Sequence, residues 1–237
     1  MLYLFAGNLA KASLAVFFLF LVYGNFAMAE VSGIDIIKRS EWKADPAWEK
    51  PKDQTDKIPK YDRHLEYVQE EKLIKRLDAK FLTIHHIGRS PVKKHVKTFI
   101  KPFQNQMHLY KLSGNSKRKS KWISFLDIPY HYVIDYYGNI AEGRSLDYSA
   151  VSNTVYSKDI RKHITITLDG SFSYQQSPTI QQITSLTNLL YKLAIDNDIR
   201  LENIIGHSDV ANTDCPGKKL YAKIEDIREE LRLRGLK

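Results

Sequence analysis

Two stretches hold residue types that could do chemistry. One is Gly206-His207-Ser208-Asp209-Val210-Ala211-Asn212-Thr213-Asp214-Cys215-Pro216-Gly217, with a histidine and the only cysteine of the chain. The other is Ile84-His85-His86-Ile87. Imidazole and thiolate are good zinc ligands, and a catalytic zinc takes three protein ligands and keeps one position open. His207 and Cys215 supply two donors, and the His85-His86 pair is the obvious source of a third. Taken singly, such a histidine is commonly a core or surface residue, and such a cysteine a small hydrophobe. The argument for a metal rests on the three together.

The elements that must position them follow from local pattern. Ile204-Ile205 reads as a short buried strand leading into His207, and Phe81-Leu82-Thr83-Ile84-His85 as another. Pro216-Gly217 turns the chain after the cysteine. Residues 130–135 and 139–144 flank Tyr136-Tyr137-Gly138, the pattern of a hairpin with a glycine-containing turn. The run 163–168 alternates and is rich in β-branched residues, so it reads as a strand. Ser90-Pro91 looks like an N-cap with proline at the first helical position. The helix it would open has Val92, Val96, Phe99, Ile100, Phe103, Met107 and Tyr110 on one stripe, with a kink or break near Lys101 caused by Pro102. Thr179-x-x-Gln182 is a capping box for a helix whose stripe is Ile180, Ile183, Leu186, Leu189, Leu190 and Leu193. Leu220, Ile224, Ile227 and Leu231 mark a last amphipathic helix, stopped by Gly235. The order strand, helix, hairpin, strand, helix, strand, helix predicts an α/β single domain, a mixed central β-sheet with helices packed on its faces. Both candidate histidines then fall where strands end, where sites in such sheets commonly lie.

A chain of 237 residues with 43% hydrophobic and 27% charged residues can bury one sizeable core. Its net charge of +9 favours anionic partners such as nucleic acid, lipid headgroups or bacterial wall polymers, without choosing among them. The basic loop 111–121 has no aromatic residue for base stacking before Trp122, so no nucleic-acid partner is expected. Residues 46–75 are polar, with Pro46, Pro51 and Pro59, and read as a long surface loop with a short helix around Leu65–Leu77. Residues 1–29 read as a signal peptide: Lys11 precedes an uncharged run that ends in Ala27-Met28-Ala29, a cleavage site before Glu30. Gly24 and Asn25 leave the apolar run short of the ~20 residues that a spanning helix needs. The domain expected to remain is 30–237, secreted or periplasmic, touching membrane only through the leader if that is uncleaved. In such an oxidising compartment a lone cysteine needs protection, which metal ligation would provide.

Five motifs in order resemble the zinc-dependent N-acetylmuramoyl-L-alanine amidases of the second type, homologous to phage amidases and peptidoglycan recognition proteins. They are Arg39-Ser40-Glu41-Trp42-x-Ala44, Thr83-Ile84-His85-His86, residues 127–135 (Asp-Ile-Pro-Tyr-His-Tyr-Val-Ile-Asp), Gly138-x-Ile140-x-Glu142-Gly143-Arg144, and Gly206-His207 with Thr213-Asp214-Cys215-Pro216-Gly217. The resemblance spans roughly 34–222. It implies Zn2+ on His85, His207 and Cys215, a catalytic role for Tyr130 beside the metal, and Thr213 where other members carry lysine or threonine. Thr213 can orient water or substrate but cannot act as a general base at neutral pH. Glu142 is a proton-transfer candidate by residue type alone. The implied activity is hydrolysis of the amide between N-acetylmuramic acid and L-alanine in peptidoglycan or muropeptides. The alternative is a non-catalytic peptidoglycan-binding module of the same fold, although such modules typically lose the cysteine. The sequence departs from the pattern at Ser149, placed where the family has a histidine, at Pro129 in place of glycine, and in insertions near 46–75 and 111–121.

Overall fold

Two runs without a carboxylate, lysine or arginine form the middle of the molecule. In the computed structural model they are strands β3 (Phe81–His86) and β8 (His163–Leu168), paired in parallel from Phe81 opposite His163 to His86 opposite Leu168. The structure describes residues 33–47, 55–62, 66–69, 73–112, 119–152 and 159–237, so the expected leader lies outside them. Asp35–Lys237 is one compact unit. Strands β1 (Ile36–Ile37), β6 (Tyr132–Ile134), β7 (Ile140–Glu142) and β9 (Ile204–Gly206) complete a six-stranded sheet in the order β1-β7-β6-β8-β3-β9. The β6–β7 hairpin is its antiparallel pair, and the other neighbours run parallel. Every residue of β8 is buried. Its alternating sequence suits one wet face, but a parallel strand covered on both sides buries both. Among the described residues no helix is long and apolar enough to cross a membrane.

Helix α1 (Val96–His108) buries Val96, Phe99, Ile100, Phe103 and Met107 against Ile37, Val133 and Ala141 of the sheet. It begins later than Ser90-Pro91 predicts. Val92 N donates to Asp169 Oδ2 at 2.6 Å and Val96 N to Asp135 Oδ2 at 2.7 Å. The segment between is thus stretched across the ends of two strands; His95 caps the helix, accepting from Lys97 N at 3.2 Å, and a carboxylate distant in sequence takes the N–H of the first helical residue. The helix runs through Pro102 without a break. Proline costs ~3 kcal/mol in a helix interior, and the buried Phe99, Ile100 and Phe103 around it outweigh that. Tyr110 belongs to the next strand rather than to the helix.

Helix α2 (Ile180–Asn197) has both halves of the capping box on Thr179 and Gln182. Its stripe buries Leu186, Leu189, Leu190 and Leu193, but Ile180 is 82% exposed, while Gln182 in the same turn is buried and donates to Asp169 O at 3.0 Å. The last helical stretch is two pieces, α3 (Lys218–Tyr221) and α4 (Ile224–Leu233), still burying Leu220, Ile224, Ile227 and Leu231. The Tyr191 hydroxyl donates to Arg234 O at 3.2 Å and ties α2 to the end of α4.

The two insertions meet in space. β2 (Glu66–Gln69) pairs in parallel with β5 (Lys121–Ser124), and β4 (Tyr110–Leu112) pairs antiparallel with β5, giving a second, three-stranded sheet. Residues 66–69 are therefore a strand, not the expected helix, and Lys75 forms an isolated bridge with Tyr148. The ends of the basic loop 111–121 are strands too, while residues 113–118 lie outside the described part. Local propensity loses here to a partner strand that the sequence pattern does not reveal.

Arg144 is the largest fully buried side chain. It donates to Phe125 O at 2.6 Å, Ile128 O at 2.9 Å and Ser149 O at 3.2 Å, and so joins the segments on either side of the hairpin. Arg144→Met would leave these carbonyls without their donor. Since a buried unsatisfied group costs ~1–3 kcal/mol, the variant is expected to lose about 3 kcal/mol or more of unfolding free energy in urea denaturation. A loss below ~0.5 kcal/mol, the level of a neutral surface change, would contradict that role.

Candidate metal centre and its cleft

Strand alternation puts Thr83 and His85 on one face of β3 and Leu82 and Ile84 on the other. Register sets His85 beside Thr167 of β8. His207 follows β9 directly, in a turn closed by Gly206 N donating to Asp209 Oδ2 at 2.8 Å. Cys215 sits on the next loop, where Cys215 N donates to Thr213 Oγ1 at 3.2 Å and Gly217 N to Asp214 O at 2.6 Å. Gly217 has φ +89°, and a Cβ there would lie 2.4 Å from the backbone of Phe172, so glycine is required for the loop to dock.

The donor atoms of His85, His207 and Cys215 lie within 4.8 Å of one another. Cys215 Sγ is 3.6 Å from His85 Nδ1 and accepts the His86 N–H at 3.4 Å. The rings of His85 and His207 are 4.5 Å apart. His85 Nε2 is buried with no hydrogen-bond partner among the described residues. Burial, then the neighbouring His207, holds the His85 imidazole well below its ordinary pKa, and burial pushes the Cys215 thiol up to about 12. Two imidazoles and a sulfur, nearly dry and converging, fit a divalent metal ion that prefers nitrogen and sulfur.

Tyr130 stands beside this cluster, its ring 5.2 Å from that of His85. Its carbonyl accepts from Arg144 N at 2.8 Å, and a Cβ on Gly143 would lie 2.4 Å from that oxygen. The Gly143-Arg144 pair thus sets the backbone that carries the tyrosine. Burial, then Cys215, raises the pKa of the phenol, so its hydroxyl keeps its proton and can donate.

A family model described as N-acetylmuramoyl-L-alanine amidase matches residues 75–218. The chain belongs to this amidase family. Its fold is shared with solved peptidoglycan recognition proteins. With Drosophila PGRP-SA the identity is 17% and the TM-score 0.58, covering 82% of this chain and 92% of that one. With Apis mellifera PGRP-SA the values are 19% and 0.57, covering 81% and 95%. With the ectodomain complex of PGRP-LCa and PGRP-LCx, solved with tracheal cytotoxin, they are 20% and 0.56, again covering 81% and 95%. Comparison with curated proteins finds no match. The segment of the amidase family covers His85, Tyr130, His207, Thr213 and Cys215, and leaves β1 and Arg39–Trp42 outside it.

All five of those residues line a single cleft of about 370 Å³. Glu142 is not among them: its carboxylate accepts from Lys38 Nζ at 2.9 Å and from Arg39 N at 3.2 Å, which docks the opening segment on β7. Asp127 is likewise structural, accepting from Gln104 Nε2 at 2.7 Å and pairing with Arg39 at 3.1 Å. Ser149 is buried, its N–H donating to Ile74 O at 2.7 Å, and the serine that lines the cleft is Ser152. Pro129 lies in the wall as well. Three contributors have no signal in the spacing of the motifs: Arg89, Ser152, and an aromatic wall of Tyr110 and Phe125 at the edge of the second sheet. Phe103 and Met107 read as core positions of α1 and are that, but they also floor the cleft.

Proposed function

We propose that this protein is a zinc-dependent N-acetylmuramoyl-L-alanine amidase, hydrolysing the bond between the lactyl group of N-acetylmuramic acid and L-alanine in peptidoglycan or muropeptides. The observation that carries this reading is the buried convergence of His85, His207 and Cys215 beside Tyr130 in an open cleft. Those three residues would hold the ion, which when bound lowers the pKa of water toward ~7 and polarises the carbonyl. Tyr130 offers its O–H where charge develops on the carbonyl oxygen. Thr213 holds the Cys215 loop through its hydroxyl and presents its remaining face to the cleft. His86 accepts the Phe172 N–H on Nδ1 at 3.2 Å, which leaves the proton of the neutral ring on Nε2 as a further donor in the cleft wall. Phe103, Met107, Tyr110 and Phe125 keep bulk water from one side of the bound substrate.

The recognition proteins among the structural neighbours, one solved with tracheal cytotoxin, support the other reading, a module that binds muropeptide without cutting it. The complete ligand set favours the enzyme. The partner we propose is peptidoglycan or a muropeptide, with no nucleic acid. We place the mature protein in the periplasm or outside the cell, starting at Glu30, which N-terminal sequencing of exported material checks. Incubation with defined muropeptides should release peptide with a free N-terminal L-alanine and sugar with a free lactyl carboxylate, both read by mass spectrometry. Tight binding without those products, in protein shown to contain zinc, would leave the recognition module.

A further inference from the structure

Among the described residues the cleft is lined by one permanently charged side chain, Arg89, and by no aspartate or glutamate. Gly88, with φ +81°, turns the chain out of β3 just before it. Gly88 N donates to Gly170 O at 2.9 Å and Val92 N to Asp169 Oδ2 at 2.6 Å, so the backbone around Arg89 is pinned on both sides. The guanidinium stands 5.9 Å over the ring of Phe103 and 3.7 Å from the buried carboxylate of Asp169. That separation orients the cation but is too long for a hydrogen bond. Every other arginine among the described residues has a protein oxygen at 2.8 Å or closer. Among the described residues Arg89 makes this one ion pair and no hydrogen bond, and its side chain is 41% exposed.

We propose that Arg89 is a specificity-determining residue that takes an ionised carboxylate of the substrate's peptide portion. The inference rests on the amidase reading above. A guanidinium fork matches a planar carboxylate through two parallel N–H···O bonds, which neither an amide nor a hydroxyl can reproduce. The peptide arm must leave the scissile bond within the same cleft, whose lining includes Arg89 as well as His85, His207 and Cys215. The acid group nearest the scissile amide is the first that the arm can offer it. The sugar side of the bond carries no charge once its lactyl carboxyl is in the amide.

The test uses two synthetic muropeptides that differ in one group, the carboxylate nearest the scissile amide or its carboxamide, with metal-loaded full chain. Wild type should favour the acid by about 10–100-fold in kcat/KM, the range expected of a charge-assisted pair. Arg89→Gln should cleave both at the rate at which wild type cleaves the amide, with unchanged zinc content and Tm. Arg89→Lys should restore part of the preference, because it keeps the charge and loses the fork. If wild type shows no preference, or Arg89→Gln keeps it, the assignment is overturned. If wild type cleaves neither compound, the amidase reading fails instead, and calorimetric binding of the two compounds to wild type and Arg89→Gln still decides whether Arg89 recognises the acid.

Discussion

Cys215→Ala should purify with zinc reduced from about one ion per chain to near background, and with hydrolysis lowered by ~10³-fold or more. A catalytic zinc is held by three protein ligands, and removing the thiolate leaves two imidazoles. The sulfur is also the softest donor and the one that brings the C-terminal loop to β3: its contacts are His85 Nδ1 at 3.6 Å and His86 N at 3.4 Å. His207→Ala should behave alike, since the donor atoms of all three residues lie within 4.8 Å of one another. His86→Ala is the control. Its ring is engaged by Phe172 N rather than by the cluster, so zinc content should survive even where turnover falls. Acid should strip the metal. Burial keeps the Cys215 thiol protonated up to about 12 when no cation competes, so metal uptake displaces a proton and weakens as pH falls. Elemental analysis of the purified variants reads the result. Full zinc in Cys215→Ala or His207→Ala would end the assignment.

Tyr130→Phe should keep zinc, fold and substrate affinity while kcat falls by ~10²–10³, the cost of losing one donor to a developing oxyanion. The substitution keeps the ring, and with it the packing 5.2 Å from His85. The backbone that carries it is fixed independently, through Arg144 N to Tyr130 O at 2.8 Å. Burial and the nearby sulfur hold the phenol in its protonated form, so across the working pH range the wild-type hydroxyl is a donor. The loss should therefore be the same at every pH in that range, and the pH profile of the variant should parallel that of wild type. Near-wild-type kcat with zinc and fold intact would remove Tyr130 from the chemistry. Loss of zinc would make it a structural support of the centre.

Much of this was written locally. Short apolar runs made β3 and β9 legible, alternation with β-branched residues gave β8, a glycine-containing turn gave the β6–β7 hairpin, and Thr179 with Gln182 marked the start of α2. Each of these signals lies within a few residues, where side-chain period and turn chemistry act directly. The types of the candidate metal donors were also plain, because few residues other than histidine and cysteine suit such an ion. What local pattern could not carry was pairing. The start of α1 depends on a carboxylate from the β6–β7 turn, so Ser90-Pro91 misled. Residues 66–69 are a strand because β5 offers them an edge. Ser152 rather than Ser149 reaches the cleft because Ile74 holds the Ser149 backbone. Arg89 counts because Asp169, at the end of β8, stands near it without consuming it. Most of all, β3 between β8 and β9 sets His85 against Cys215, 130 residues away in sequence. The sequence supplied the candidate donors, but only parallel strand pairing across such separations brings them to one point, since such contacts form between strands joined by long crossovers rather than by tight turns.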